Sequence, residues 1–323
     1  MNNKLSLTIS SLGHFLVDFT CAYVVLSRLH ETSFAAQIVI IYNFMAFAMQ
    51  MPFGVIADAY PKMRWSFLGI LCLLASFLPL PVFLTVLLIG TGNSLYHLGE
   101  GKPILDHLKG SSALGIFVAP GAFGITFGTM LQDKSLSLMI PIVIALVFLS
   151  VLIWFRTYEG TPDDPSEKTS FGLISALFIV VVIRSFAGFS WQLPWKADHL
   201  VVMTCAVVFG KMLGGLLADT IGSKKAAVIS LGISFLCFIK AEWSLTGWLG
   251  VLFFNMTMPI CLKQMTLELK NQSGFAFGLL TFALFLGYLP SPLGISTVPK
   301  SLTLLLIALS LVLMCLLRRD LHD

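Results

Sequence analysis

Gly54-Val55-Ile56-Ala57-Asp58 returns 161 residues later as Gly215-Leu216-Leu217-Ala218-Asp219. Each copy closes an apolar run. Each is followed by a turn and bases: Pro61, Lys62 and Arg64 after the first, Gly222, Lys224 and Lys225 after the second. In a chain of 323 residues the two copies occupy equivalent places in two halves. Between the halves lies the longest polar stretch, Arg156 to Ser170, with two prolines and four acids. That composition reads as a surface linker.

Working outward from the repeat, the rest of the chain is apolar. It is 57% hydrophobic and 11% charged, with a mean hydropathy of +0.91. A soluble domain carries about 25% charged residues, so a water-soluble globule and a disordered chain are both excluded. The apolar runs do not alternate, which excludes barrel strands, and they match the ~20 residues of a membrane-spanning helix. They predict helices near 5–28, 33–57, 64–80, 83–105, 111–132, 136–155, 171–193, 199–218, 224–241, 246–265, 274–292 and 300–317. The fold class is therefore an all-α polytopic membrane protein with 12 transmembrane helices. They form two pseudo-symmetric six-helix bundles, residues 1–155 and 171–323, joined by a cytoplasmic linker over 156–170. Such halves place a transport site between them, near the bilayer midplane. Trp65, Trp154, Trp191, Trp195 and Trp243 suit interfacial belts.

The bases set orientation, because Lys and Arg collect on the cytoplasmic side. With the N-terminus inside, that side holds Lys4, Lys62, Arg64, Lys109, Arg156, Lys168, Lys224, Lys225, Lys263, Lys270, Arg318 and Arg319. The far side holds only Arg28, Lys134, Lys196, Lys240 and Lys300. Both termini are expected in the cytoplasm. The net charge of +4 is thereby explained by topology and is no nucleic-acid signal. Lys102, Arg184 and Lys211 remain at membrane depth. The six cysteines all fall in apolar runs, which suits small buried side chains rather than disulfides. Met1 to Lys4 runs straight into an apolar segment without a small-residue cleavage site, so a first membrane helix is expected rather than a removed signal peptide.

The repeated loop resembles the cytoplasmic loop motif of the major facilitator superfamily. Gly215, Asp219, Gly222, Lys224 and Lys225 carry the resemblance well. Gly54, Asp58, Lys62 and Arg64 carry it with Pro61 in place of the glycine. Both copies lack the base that usually follows the aspartate, where Ala59 and Thr220 stand. The resemblance implies the major facilitator fold, and a loop that clips neighbouring helices on the cytoplasmic side and sets the balance of outward-open and inward-open states. A finer resemblance, to the fosmidomycin-resistance branch, rests on Gly13-His14-Phe15-Leu16-Val17-Asp18, Tyr96-His97, Arg184-Ser185 and Leu193-Pro194, with Leu98 where that branch has proline. Gly115, Pro120, Gly121, Gly124 and Gly128 in the fifth helix resemble the glycine-proline motif of superfamily antiporters, and small residues at this spacing also permit close helix packing.

Ionisable groups inside a bilayer are costly, so they face cavities and mark function. Here they share helix faces. His14 and Asp18 stand at i and i+4 on the first helix, and Asn93, His97 and Glu100 at i, i+4 and i+7 on the fourth. Arg184 and Gln192 lie on the seventh helix, Asn255 on the tenth. Apolar surroundings raise a carboxylate's pKa toward neutrality, which makes Asp18 the leading protonation site, followed by His14 and Glu100. Pairing with Arg184 is the structural alternative for Asp18, and pairing with Lys102 or Lys109 the alternative for Glu100. The planar fork of Arg184 suits a carboxylate or phosphate, with Asn93, Tyr96, His97, Gln192 and Asn255 as further substrate contacts. Tyr42, Tyr96 and Tyr288 are candidates to line a cavity.

The expected function is proton-coupled secondary active transport of a small organic molecule by alternating access. The resemblance favours export. A second reading is a divalent metal transporter with His14, Asp18, His97 and Glu100 as ligands, a donor set that suits a first-row divalent ion. A third is a transporter-like membrane sensor. No catalytic motif of an intramembrane enzyme is present. The proton gradient takes the place of a cofactor. The expected partners are substrate and lipid bilayer, the expected state a monomer, and the expected location a bacterial-type inner membrane.

Overall fold

The computed structural model describes residues 2–29, 33–132, 137–164, 169–191, 193–295 and 297–317. Among them there are no strands and twelve helical segments. These are α1 (Asn3–Leu29), α2 (Ala35–Ala59), α3 (Trp65–Ala75), α4 (Val82–His107), α5 (Ser112–Met130) and α6 (Met139–Trp154). After the linker come α7 (Phe171–Ser190), α8 (Leu200–Ile221), α9 (Ser223–Phe238), α10 (Ser244–Glu268), α11 (Ser273–Tyr288) and α12 (Lys300–Met314). Seven of the twelve are long and apolar enough to cross a membrane. Every expected segment is present. Gln192, Lys134, Lys168, Arg318 and Arg319 lie outside the described residues, as does the side chain of Arg28.

The departures from straight helices have local causes. Proline lacks an N–H and crowds the carbonyl four residues back. Pro52 follows a π turn at Phe44–Ala48 in α2, where Met49 N bonds Phe44 O and the Gln50 amide donates to Ala46 O at 2.6 Å. Pro120 interrupts α5 after Val118, and Pro259 follows the break of α10 at Met256. The eleventh helix was expected over 274–292. It ends at Tyr288, and Pro290 and Pro292 stand in the turns beyond. His97, Glu100 and Lys102 do not interrupt α4, which runs unbroken to His107 with Pro103 inside it.

The described residues group into two compact units. The first comprises Met1–Leu108, Pro120–Pro162 and Asn271–Phe282, the second Lys109–Ala119, Asp163–Lys270 and Ala283–Asp323. Each therefore takes one segment from the other half of the chain.

The first unit packs around Val17, Cys21, Ile70, Leu73, Ile89, Tyr96 and Leu146, all buried. Its helices approach closely because small residues meet backbone. A side chain at Gly124 or Gly128 would strike the Phe15 or Phe19 carbonyl of α1, and one at Gly99 would strike Ser66 at the start of α3. The glycines of α5 thus serve packing.

In the second unit Gly210 and Gly214 lie against the Leu252 and Met256 carbonyls of α10. Ser234 of α9 donates to the Gly250 carbonyl at 2.9 Å. Trp195 was expected in an interfacial belt. It is 8% exposed, with its indole N–H on the Ala241 carbonyl at 2.9 Å.

Candidate functional site

In the first unit, helical spacing puts His14 and Asp18 on one face of α1 and Asn93 and His97 on one face of α4, and packing brings the faces together. His14 Nε2 stands 3.2 Å from Asp18 Oδ2, and His97 Nε2 stands 3.4 Å from Asp18 Oδ1. The two imidazoles meet edge to face, 4.2 Å between centroids. Asn93 Nδ2 donates to Asp18 Oδ1 at 2.9 Å and reaches Cys21 Sγ at 3.5 Å. All five residues are buried. The α5 backbone closes one side, where a Cβ on Gly121 would collide with both His14 Nε2 and Asp18 Oδ2. The environment of Asp18 is therefore not the apolar one expected from the sequence. Two imidazoles and an amide surround it.

His97 has a defined tautomer. Its Nδ1 lies 2.8 Å from the Asn93 carbonyl, which only accepts, so Nδ1 carries a proton. In the neutral ring Nε2 is then a bare lone pair facing a carboxylate oxygen. Two acceptors held that close are repulsive unless a proton or another cation lies between them.

The expected metal set is reduced. His14, Asp18 and His97 have ligand atoms within 4.8 Å of one another. Glu100 is not among them. It is fully buried, with Oε1 2.9 Å from Arg156 Nη2 and Oε2 bonded to Ser10 Oγ. Ser10 in turn meets Tyr158 Oη at 2.9 Å. The partner of Glu100 is thus a linker arginine, not Lys102 or Lys109. Both carboxylate oxygens of Glu100 are thus satisfied inside the first unit, away from the His14–Asp18–His97 cluster. Tyr96 is also committed elsewhere, donating to the Ser10 carbonyl at 3.0 Å with no exposed surface.

In the second unit Arg184 projects from α7 into a buried setting. Its Nη2 donates to Asn255 Oδ1 at 2.5 Å and its Nη1 contacts Met258 Sδ at 3.6 Å. Its Nε has no hydrogen-bond partner, and the side chain has no acidic partner among the described residues. An unneutralised guanidinium at this depth is costly. Asn255, expected to touch substrate, accepts from that guanidinium. Lys211 does not snorkel outward: its ammonium donates to the Val118 carbonyl at 3.0 Å, where Pro120 breaks α5.

The repeated loops form two clips. In the first unit Asp58 Oδ1 and Oδ2 accept from Gly274 N and Phe275 N, at 2.9 and 2.8 Å, at the start of α11. In the second unit Asp219 accepts from Ser111 N and Ser112 N, at 2.6 and 2.8 Å, and from Ser112 Oγ, at the start of α5. Both carboxylates satisfy orphan amides where the helix dipole is positive. Gly54 and Gly215 have no side chain because the Gly274 and Ser111 carbonyls fill that space. Gly222 turns with a φ of +91°, which favours glycine.

The bases next to the motif do not neutralise Asp58. Lys102 does, at 2.9 Å, and it also holds Asp106 at 2.9 Å and Ser273 Oγ at 3.0 Å. Arg64 instead grips the end of α6, bonding the Trp154 carbonyl and covering the Trp154 ring at 4.3 Å, while Lys62 lies exposed. Lys224 and Lys225 sit in the first turn of α9.

Lys263, counted from the sequence only as a cytoplasmic base, stands 161 residues after Lys102, the spacing of the loop repeat. It is buried and pairs with Asp163 of the linker at 2.6 Å. Asp163 also accepts from the Gly110 amide at 2.8 Å. The repeat spacing was the signal that could have matched this lysine to Lys102.

No protein-family model and no curated protein matches the chain. Solved structures do. A single-substitution form of the E. coli fucose:proton symporter FucP superposes with a TM-score of 0.67 at 13% identity, over 96% of this chain and 98% of that one. This is the major facilitator fold. A second structure of FucP, described as a major facilitator superfamily transporter in the outward conformation, gives a TM-score of 0.58 at 14% identity, over 95% and 98%. The human organic anion transporter MFSD10 gives 0.68 at 15%, over 97% and 100%. With this fold and its apolar helices the chain is an integral membrane protein. Nothing in these likenesses singles out the fosmidomycin-resistance branch.

Proposed function

We propose that the chain is a proton-coupled secondary transporter of a small organic anion, working by alternating access. The observation that carries the reading is the buried His14–Asp18–His97 cluster. With Nδ1 of His97 held protonated by a backbone carbonyl, its contact with Asp18 needs a proton at Nε2 or on the carboxylate. Losing and regaining that proton changes the charge at the heart of the first unit. His97 takes the coupling place that Glu100 was expected to hold, beside Asp18 and His14. Arg184 supports an anionic cargo, because a carboxylate or phosphate supplies the partner that its own unit withholds. Release and reformation of the Asp58 and Asp219 clips is the conformational step.

Several finer readings belong to this proposal. The halves 1–155 and 171–323 act as two six-helix bundles. Both termini are cytoplasmic in a bacterial-type inner membrane, by the distribution of bases. The chain works as a monomer on the proton gradient alone. Export is the preferred direction, on the resemblance of the α5 glycines to an antiporter motif.

The test is growth protection in a bacterial strain stripped of its main efflux pumps, across organic anions, cations and divalent metals, at matched membrane expression. Wild type is expected to protect against an organic anion. Asp18→Asn and His97→Gln are expected to abolish protection, and Arg184→Gln to weaken it. Protection that survives Asp18→Asn sinks proton coupling. Protection confined to a divalent metal and dependent on His14 and His97 transfers the site to the metal reading. Absence of any effect of wild type in either direction of transport favours a sensor.

A further inference from the structure

The second unit contains a partly open cavity that the transport reading does not use. It lies where α7 and α9 end and α12 begins, and its volume is about 130 Å³. Trp191, Phe238, Val298 and Thr303 line it, and Glu242 and Lys300 stand beside them. Trp191 packs on Phe238 with centroids 4.7 Å apart, and on Phe254 at 5.2 Å. The loop before α12 is tied down by the Val298 amide on the Ser190 carbonyl. The walls are thus aromatic and fixed.

One buried polar group of this lining lacks a partner among the described residues: Trp191 is 7% exposed, and its Nε1–H has no acceptor. Thr303, 5% exposed, lines the same cavity, and its hydroxyl is not among the enclosed unpartnered groups, so it is open to an occupant. An indole N–H only donates, and a buried unmet donor is costly. Lys300 adds a positive charge at the rim, paired at 2.6 Å with Glu242, both side chains partly exposed. The missing complement is therefore an acceptor, and a negative one can exchange for Glu242 on Lys300, because an exposed ion pair contributes little to stability. An apolar cavity of about 150 Å³ accepts benzene, so the space takes one ring and not two.

We propose that this cavity is a binding site for a small, single-ring aromatic carboxylate. The ring lies against Phe238. The carboxylate accepts from the Trp191 Nε1–H and from the Thr303 hydroxyl, and takes Lys300 from Glu242. The site is separate from Arg184 and does not rest on the transport reading.

The experiment is saturation-transfer NMR with benzoate as probe, on the full chain in nanodiscs. Benzoate is expected to bind saturably and 2-naphthoate to fail to displace it. Thr303→Val should weaken benzoate about fivefold, the loss of one hydrogen bond, while Thr303→Ser keeps the hydroxyl and the affinity. Lys300→Gln should weaken it further, and Arg184→Gln should leave it unchanged. The proposal is overturned if wild type shows no saturable benzoate binding, if 2-naphthoate competes as well as benzoate, or if Arg184→Gln abolishes binding that Thr303→Val leaves intact. None of these results bears on growth protection by the transporter, so the two proposals fail separately.

Discussion

Arg156→Met should destabilise the protein far more than a linker substitution ordinarily does. Glu100 is fully buried in α4, and Arg156 supplies its only ion pair among the described residues, at 2.9 Å. Removing the arginine leaves a carboxylate with Ser10 alone, and Ser10 is shared with Tyr158. Breaking a buried pair from one side costs about 3–5 kcal/mol, because the remaining charge is uncompensated. The cation–π contact of Arg156 with Tyr158, 4.7 Å from guanidinium to ring centre, adds about 0.5–1 kcal/mol. At ~2–4 °C per kcal/mol for a chain of this order, the melting temperature in detergent should fall by ~10 °C. Glu100→Gln alone should cost less, since the carboxamide keeps the Ser10 bond and it is the cation that is stranded nearer the surface. The double variant Arg156→Met/Glu100→Gln should recover most of the loss, giving a coupling energy of about 2 kcal/mol or more. Additive effects in this cycle would refute this structural role. So would a Glu100→Gln protein that melts like wild type but transports without proton coupling, since that would return Glu100 to the coupling role.

Three further outcomes follow from the geometry. Gly121→Ala places a methyl group on His14 Nε2 and Asp18 Oδ2, so it should abolish transport in a flux assay while membrane expression stays normal. Arg184→Lys keeps the charge but loses the fork, and should raise KM for an anionic substrate about tenfold with little change in maximal rate, as measured in proteoliposomes. Asp163 carries a pH dependence. Burial pushes its carboxyl up, but Lys263, the Gly110 amide and Lys109 outweigh that and hold it below the ordinary carboxylate value. A folded value below the unfolded one gives stability that is full above the ordinary carboxylate range and lost as pH falls through the lowered value. Asp163→Asn should therefore flatten the acid limb of a melting-temperature profile and leave its neutral region, apart from a constant offset, unchanged in slope.

The sequence was most legible where a rule of spacing applied. Period and length placed the twelve helices. Helical faces placed His14 with Asp18 and Asn93 with His97, and the repeat placed Asp58 and Asp219. What it did not show was partners. Lys62 and Arg64 adjoin Asp58 in sequence, yet Lys102, two helices later in the chain, neutralises it. Arg156 read as a topological base and is the counter-ion of a buried acid. Tyr96 and Asn255 read as substrate contacts and are spent on Ser10 and Arg184. In each case the pairing is set by packing between helices, and a residue's own helix carries no record of what that packing brings to it.

The 161-residue repeat also shows how one frame came to hold two chemistries. The structural positions are kept: Gly54 and Gly215 at the close approach, Asp58 and Asp219 on helix starts, Lys102 and Lys263 in ion pairs. The functional positions are not. The place 161 residues after His97 is Met258, which touches Arg184, and the place after Asp18 is Ile179. The first unit therefore keeps its acid and its imidazoles together, while the second carries a guanidinium, Arg184, with no acidic partner among the described residues. On the proposed function this asymmetry puts the protonated cluster in the first unit and the guanidinium that meets an anion in the second, so each ion biases a different part of the chain.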